Sequence, residues 1–253
     1  MALVSYDEAG CLQSVTSVPE LPVANPKIGA FPDGTFVVVG ARCEWSPQGP
    51  ELNALAIDQT GRIVRRGCVG DGVHRLQVSS DGAIWVSYFD EGIYGAFGWN
   101  YPGPAPLGAG GLVKWSPEFE KVWAPDPSEG LIYESYGPNI ADDEVWCCTY
   151  PDSQVVRIAQ HERTIFATSG LAGPSALLTN GDTAVLISAK GDPSLLVQGR
   201  FVNGCFTETG RSRLHMPDGR LLTARLLACR GPVAYFMQGL EWFSFDLTSL
   251  SSS

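Results

Sequence analysis

This sequence predicts an all-β protein assembled from repeated four-stranded antiparallel units, and three observations carry the prediction. Turn-forming residues are abundant, with 29 Gly and 18 Pro in 253 residues, against averages of about 7% and 5%. A short polar turn bearing Asp or Gly, followed by an apolar or aromatic strand, recurs along the chain. A second hairpin follows each of these strands, so the strands come in fours.

The recurring turn and strand appear first as Pro32-Asp33-Gly34 before Thr35 to Val39, then as Ser80-Asp81-Gly82 before Ala83 to Tyr88. Asp142-Asp143 precedes Glu144 to Tyr150, Asn180-Gly181-Asp182 precedes Thr183 to Ser188, and Arg230-Gly231 before Val233 to Met237 is a degenerate fifth copy. Asp-Gly and Asn-Gly supply the positive φ that two-residue hairpin turns require. The second hairpins are Asn53 to Asp58 with Arg62 to Arg65, Gly111 to Trp115 with Glu120 to Trp123, Ser153 to Ile158 with Arg163 to Ala167, and Leu195 to Phe201 with Cys205 to Thr209. Glu241 to Phe245 begins another pair that lacks its partner, and Ala2 to Asp7 with Cys11 to Val15 forms an unmatched hairpin at the start of the chain.

Two hairpins make a unit of about 40–50 residues, the length of one β-propeller blade. The expected fold is a single β-propeller domain over residues 1–253 with five blades, or six if the first hairpin belongs to a blade of its own. Pairing of the N-terminal with the C-terminal strands is expected to close it and remove two exposed sheet edges. A non-repeating β-sandwich is the competing architecture.

Charge and cysteine usage narrow the function classes. Asp and Glu number 27 against 17 Lys and Arg, and the formal net charge of −10 opposes binding to a nucleic-acid backbone or an anionic membrane surface. Met1 to Glu8 carries no basic and apolar leader, and no run of about 18 apolar residues occurs, so a cytoplasmic protein is expected. The cysteines are Cys11, Cys43, Cys68, Cys147, Cys148, Cys205 and Cys229, an odd number without C-x-x-C spacing, and most are expected to be small buried thiols in a reducing compartment. Cys147 and Cys148 would point to opposite faces of one strand, so at most one is expected to meet the core. Only His74, His161 and His215 are present, and none lies near a cysteine pair in sequence, which disfavours zinc. The serine-nucleophile elbow, the phosphate-binding loop, the H-E-x-x-H helix and the dinucleotide fingerprint are all missing from the chain.

The stretch Asp81-Gly82-Ala83-Ile84-Trp85-Val86 resembles the blade motif of NHL-type and SMP-30/gluconolactonase-like propellers. The longer run Trp85 to Gly92, with Gly98-Trp99 and Pro102 to Pro104 after it, is similar to uncharacterised bacterial propeller-like proteins. The first resemblance implies a divalent metal held among Glu, Asn and Asp at one end of the propeller. Glu44, Asp90 and Asn139 are the nearest chemical candidates for that role, and Ca²⁺ is the cation such oxygens would take.

Propeller geometry gathers the second-to-third-strand loops and the blade-to-blade connections at one end. Those loops include Cys43 to Leu52 and the far longer Phe89 to Gly110, which is rich in Gly, Pro and aromatic residues. A connection of about 20 residues in a compact repeat is commonly functional. Its aromatics either fold back as a plug or form a lid over a ligand.

The expected function is binding of a small polar molecule, a saccharide among them, at this end. Trp45, His74, Tyr88, Tyr94, Trp99, Asn100, Tyr101, Tyr136 and Asn139 are the candidate contacts, because flat sugar faces stack on aromatic rings while amides bond hydroxyls. The alternative is a hydrolase, a metal-dependent lactonase or a glycosidase, using Glu44, Asp90, Glu91 and Glu134 as acid, base or nucleophile. A protein-interaction scaffold is the third reading.

Overall fold

The computed structural model describes residues 2–7, 11–126, 132, 135–141, 143–150, 153–168, 173–181, 183–188, 192 and 194–252. Glu134, Asp142 and Asp182, all singled out above, lie outside the described residues. The fold is the five-bladed β-propeller that the repeats predict, and the chain divides into two compact units, Met1–Leu131 and Ile132–Ser253.

The first unit begins with β1 (Ala2–Tyr6) paired antiparallel with β2 (Leu12–Ser17). The first blade is β3 (Lys27–Ala30), β4 (Phe36–Val39), β7 (Ala54–Ile57) and β8 (Ile63–Gly67), with β5 (Trp45–Ser46) and β6 (Gly49–Pro50) forming a small hairpin inside its central loop. The second blade is β9 (Val73–Val78), β10 (Ile84–Tyr88), β11 (Leu112–Trp115) and β12 (Lys121–Trp123).

Strand alternation explains how these pieces stack. Phe36 and Val38 of β4, with Leu55 and Ile57 of β7, share a core with Leu3 and Val18 of the N-terminal segment. The residues between them, Val37, Val39, Ala54 and Ala56, face the other way into the core of the second blade. Both faces of the first blade are therefore covered, which a two-residue period with apolar residues at every position achieves. The expected pairing of the N-terminal with the C-terminal strands is not among the described pairings. Among the described strands β1 pairs only with β2, and the hairpin covers a face of the first blade instead of extending the last sheet. Burial of Leu3 and Val18 seats the hairpin on this face, while Val4, Leu12 and Val15 stay exposed.

The second unit contains β13 (Tyr136–Ala141), β14 (Glu144–Cys148), β15 (Val155–Ala159) and β16 (Glu162–Phe166) as the third blade. The fourth is β17 (Pro174–Thr179), β18 (Thr183–Ser188), β19 (Leu195–Val202) and β20 (Cys205–Arg213), and the fifth has β21 (Arg225–Arg230), β22 (Val233–Gln238) and β23 (Glu241–Asp246). Cys147 and Cys148 are both fully buried, contrary to expectation, because both faces of β14 are covered. Desolvation raises both thiols, Cys147 to about 11.

The Asp-Gly turns differ from expectation by one residue. Phe31 and Thr35 bond across Pro32-Asp33-Gly34, as Ser79 and Ala83 do across Ser80-Asp81-Gly82. These are three-residue loops ending on a positive-φ glycine, +82° at both Gly34 and Gly82, the form that adds a bulge to the hairpin. The aspartate is used as well, for Asp33 and Asp81 accept the N–H two residues on, from Thr35 and Ala83.

Candidate functional site

The site is built in the first unit, where the loop from Gly40 to Asn53, the connection around Asp71 and the long loop from Phe89 to Gly111 meet. Asn53 anchors the base. Its Nδ2 donates to Gly40 O and Gly70 O, each at 2.9 Å, and its Oδ1 accepts Val69 N–H at 3.1 Å. One buried amide thereby ties the central loop to the connection that follows the first blade.

Above it stands Arg42. Its Nε and Nη2 donate to the two oxygens of Asp71, both at 2.9 Å, and its Nη1 donates to Glu91 Oε2 at 3.0 Å. Asp71 Oδ1 also accepts the Cys43 N–H at 2.8 Å. The carboxylate of Asp71 is 1% exposed, the Arg42 side chain 31% and the Glu91 side chain 45%. The guanidinium lies 4.1 Å from the Phe97 ring centroid and 5.6 Å from that of Phe89, close enough for cation–π attraction. Arg42 thus holds a buried carboxylate with one edge and presents the other to solvent.

The long loop is fastened in place. It opens with a short helix, α1 (Asp90–Tyr94), which buries Gly92 and Ile93 and carries Asp90 and Glu91 in its first turn. Acidic residues suit that end of a helix dipole, but a five-residue helix containing glycine has too little local preference to be read from sequence. A side chain on Gly92 would meet Asp71 O at 2.4 Å, and one on Gly103 would meet the Trp45 ring at 2.6 Å, so glycine lets the loop lie directly on its neighbours. Trp99 is buried and its Nε1–H donates to Cys43 O at 2.8 Å, while Trp45 N–H donates to Phe97 O at 2.9 Å. The choice between plug and lid resolves into a division of labour. Trp99 anchors the loop, whereas Tyr94 and Phe97 are half exposed and Tyr101 is 89% exposed.

The other expected contacts separate clearly. Tyr88 is a core residue and not a ligand contact, because it is fully buried, its hydroxyl donates to Val69 O at 2.6 Å and it accepts Trp115 Nε1–H at 3.2 Å. Its burial raises the phenol well above the usual range. Trp99 is corrected in the same way, as an anchor. Asn100 is exposed, with φ at +70°, and its amide donates to Tyr94 O. Trp45 is half buried on the small β5–β6 hairpin, His74 is half buried on β9, and Tyr136 lies on β13 opposite Cys148.

The carboxylates expected to act chemically are exposed at Glu44 and Asp90 and half exposed at Glu91. Glu44 N–H is bonded by Glu51 Oε2, and Asp90 Oδ1 accepts the N–H of Glu91. Asn139 belongs to the second unit, fully buried, with Nδ2 donating to Leu177 O and Gly231 O and Oδ1 accepting Gly231 N–H, each at 2.7 Å. An amide held this way is part of the frame and is not a ligand contact. Among the described residues no group of three or more His, Cys, Asp and Glu is placed to hold a metal ion. With Asn139 committed to backbone, the trio Glu44, Asp90 and Asn139 does not fit a divalent cation.

Arg42 carried no motif, and its partners lie 29 and 49 residues away, so sequence gave no local signal for it. The same holds for the thiols of Cys43 and Cys68, whose sulfurs stand 3.6 Å apart. Their hydrogen bond raises Cys43, which is also buried, and lowers Cys68, which the Gly70 N–H lowers further. In the second unit a cavity of about 350 Å³ opens among Leu214, Met216, Leu222, Phe236, Phe243 and Phe245, with His215 also on its lining.

No family model and no curated protein sequence matches the chain. Solved structures do match it along nearly its whole length. A putative 6-phosphogluconolactonase from Bacteroides uniformis is similar with a TM-score of 0.56 and 14% identity, covering 97% of this chain and 74% of that one. Virginiamycin B lyase from Staphylococcus aureus is similar with a TM-score of 0.55 and 14% identity, covering 96% of this chain and 72% of that one. A gluconolactonase from Xanthomonas campestris is similar with a TM-score of 0.50 and 14% identity, covering 96% and 77%. The resemblance read from Asp81 to Val86 therefore holds at the level of fold. No described helix is long and apolar enough to cross a membrane.

Proposed function

We propose that the chain binds a neutral, polyhydroxylated small molecule of the saccharide class at the Arg42 corner of the first unit. The observation that carries this reading is the half-exposed guanidinium of Arg42, held by Asp71 and Glu91 and flanked by the outward ring of Phe97. Three of its five N–H groups are engaged, leaving two donors for a ligand hydroxyl. One cation between two carboxylates leaves the corner net negative, and exposed Asp90 immediately precedes Glu91, so an anionic or phosphorylated ligand is disfavoured. Phe97 and Tyr94 supply flat apolar faces, Glu91 and Asp90 accept hydroxyl protons, and the glycine-packed loop is preorganised, which lowers the ordering cost of binding.

The test is calorimetric titration with a panel of neutral mono- and oligosaccharides and their phosphorylated counterparts. Binding of a neutral sugar that weakens about tenfold or more in Phe97→Ala and in Glu91→Gln supports the reading. Lack of binding across the panel at millimolar concentration, or binding indifferent to both substitutions, overturns it. The lactonase-like fold of the neighbours favours a second reading at the same corner, hydrolysis with Asp90 and Glu91 as the working carboxylates. Turnover of sugar lactones or aryl glycosides that Asp90→Asn or Glu91→Gln abolishes is its signature.

A further inference from the structure

Cys43 and Cys68 are brought together by tertiary structure alone. Cys43 lies in the central loop of the first blade and Cys68 in the connection leaving it, 25 residues further on, yet their sulfurs are 3.6 Å apart. A disulfide needs about 2.05 Å between sulfurs, so closing the pair takes about 1.5 Å of sulfur movement, within reach of small side-chain torsions. The surroundings hold both partners at this distance. Asn53 bonds Gly40 O on one side of the pair and Val69 N–H and Gly70 O on the other, so the two segments are clamped before any sulfur bond forms. The two thiols differ in access: Cys43 is fully buried, whereas Cys68 is partly exposed. That asymmetry is what an attacking thiol and a resolving thiol require.

We propose that Cys43 and Cys68 form a reversible redox pair, oxidised by low-molecular-weight disulfides such as oxidised glutathione. In the first step the Cys68 thiolate attacks one sulfur of the small disulfide, forming a mixed disulfide and releasing one thiolate. In the second, the Cys43 thiol loses its proton and attacks the Cys68 sulfur, forming the protein disulfide and releasing the second thiolate. The protein loses two protons and two electrons, and the small disulfide is reduced to two thiols. Cys43 also joins this bond to the site, for its N–H binds Asp71 and its carbonyl accepts Trp99.

The experiment uses the full chain, reduced and then exposed to oxidised glutathione, quenched with acid and analysed by mass spectrometry before and after digestion. The expected product has lost two hydrogens through a Cys43 to Cys68 cross-link that dithiothreitol reverses. Cys43→Ser is expected to stop at glutathione attached to Cys68, and Cys68→Ser to leave Cys43 unmodified. Cys11 and Cys205 are exposed and report in every sample that the oxidant was active. Stable glutathionylation of Cys68 in the unsubstituted chain without a cross-link overturns the proposal, as does an unmodified Cys68 when Cys11 and Cys205 have reacted.

Discussion

Asn53 in the first unit and Asn139 in the second do the same thing with the same atoms. Each is buried, each donates from Nδ2 to two backbone carbonyls, and each accepts a backbone N–H at Oδ1. What surrounds them differs. Asn139 joins β13 to Leu177 on β17 and to Gly231 at the turn between β21 and β22, and all three of its partner groups are backbone. Asn53 sits at the foot of two long loops that carry Arg42, Glu91, Phe97 and Trp99. A buried asparagine is thus a structural device in both places, and a candidate site arises only where long loops are built upon it.

The largest effects are expected from removing the two amides. Asn53→Ala strands Gly40 O, Gly70 O and Val69 N–H, and at roughly 1–3 kcal/mol for a buried unsatisfied group it is expected to lower the unfolding free energy by about 3 kcal/mol or more. Asn139→Ala is expected to cost less, because Gly231 N–H also donates to Ile140 O and Gly231 O also accepts the Thr179 N–H. Denaturant titration measures both, and a loss for Asn139→Ala as large as that for Asn53→Ala breaks the ranking.

Alkaline pH is expected to destabilise the second unit through its buried thiols. Cys147 rises from 9.0 to about 11 through burial, so above pH 9 the unfolded chain releases a proton that the folded chain keeps. Stability is then full below about pH 9 and falls by about 1.4 kcal/mol per pH unit from this thiol until about pH 11. In the first unit the raised Cys43 thiol adds the same sign of effect, the lowered Cys68 opposes it, and the buried Tyr88 adds it above its ordinary value of 10.0. Denaturation curves from pH 8 to 11 on the unsubstituted chain and on Cys147→Ala check the contribution of this thiol, the variant showing the shallower loss.

Asp71→Asn is expected to cost about 2–3 kcal/mol, less than a fully buried pair because Arg42 is partly solvated, while Glu91→Gln costs under about 1 kcal/mol. Equal losses would mean that burial of Asp71 does not set the hierarchy. Gly103→Ala is expected to cost roughly 1–2 kcal/mol by pushing on Gly98 O and the Trp45 ring. Gly210→Ala on β20 meets nothing within 4 Å and is expected to be neutral. Thermal unfolding of the two variants side by side separates a packed loop glycine from an open one.

Much of the blade frame was legible because its signals are local. The strand runs Ala83 to Tyr88 and Leu195 to Phe201 carry their apolar pattern within a few residues, and the turns carry their own Asp and Gly. The site was legible only in outline. Its loop, its aromatics and Asp90 and Glu91 stood out by composition, but Tyr88 and Trp99 read as ligand contacts when they are buried anchors. An aromatic ring looks the same in sequence whether it faces a core or a ligand. Burial of both Cys147 and Cys148 was missed for a related reason, since strand alternation tells which residues share a face but not how many faces are covered.

The sequence by itself determined the repeated four-stranded unit, a count of five or six blades and the place of the long loop, because hairpins are specified by neighbouring residues. Tertiary structure alone decided that the N-terminal hairpin covers the first blade, that Arg42 meets Asp71 and Glu91, and that Cys43 meets Cys68. Those contacts join residues 25 to 49 positions apart, or join whole elements through a shared core. Their partners are chosen by which surfaces must leave water together, and no short window of sequence contains that information.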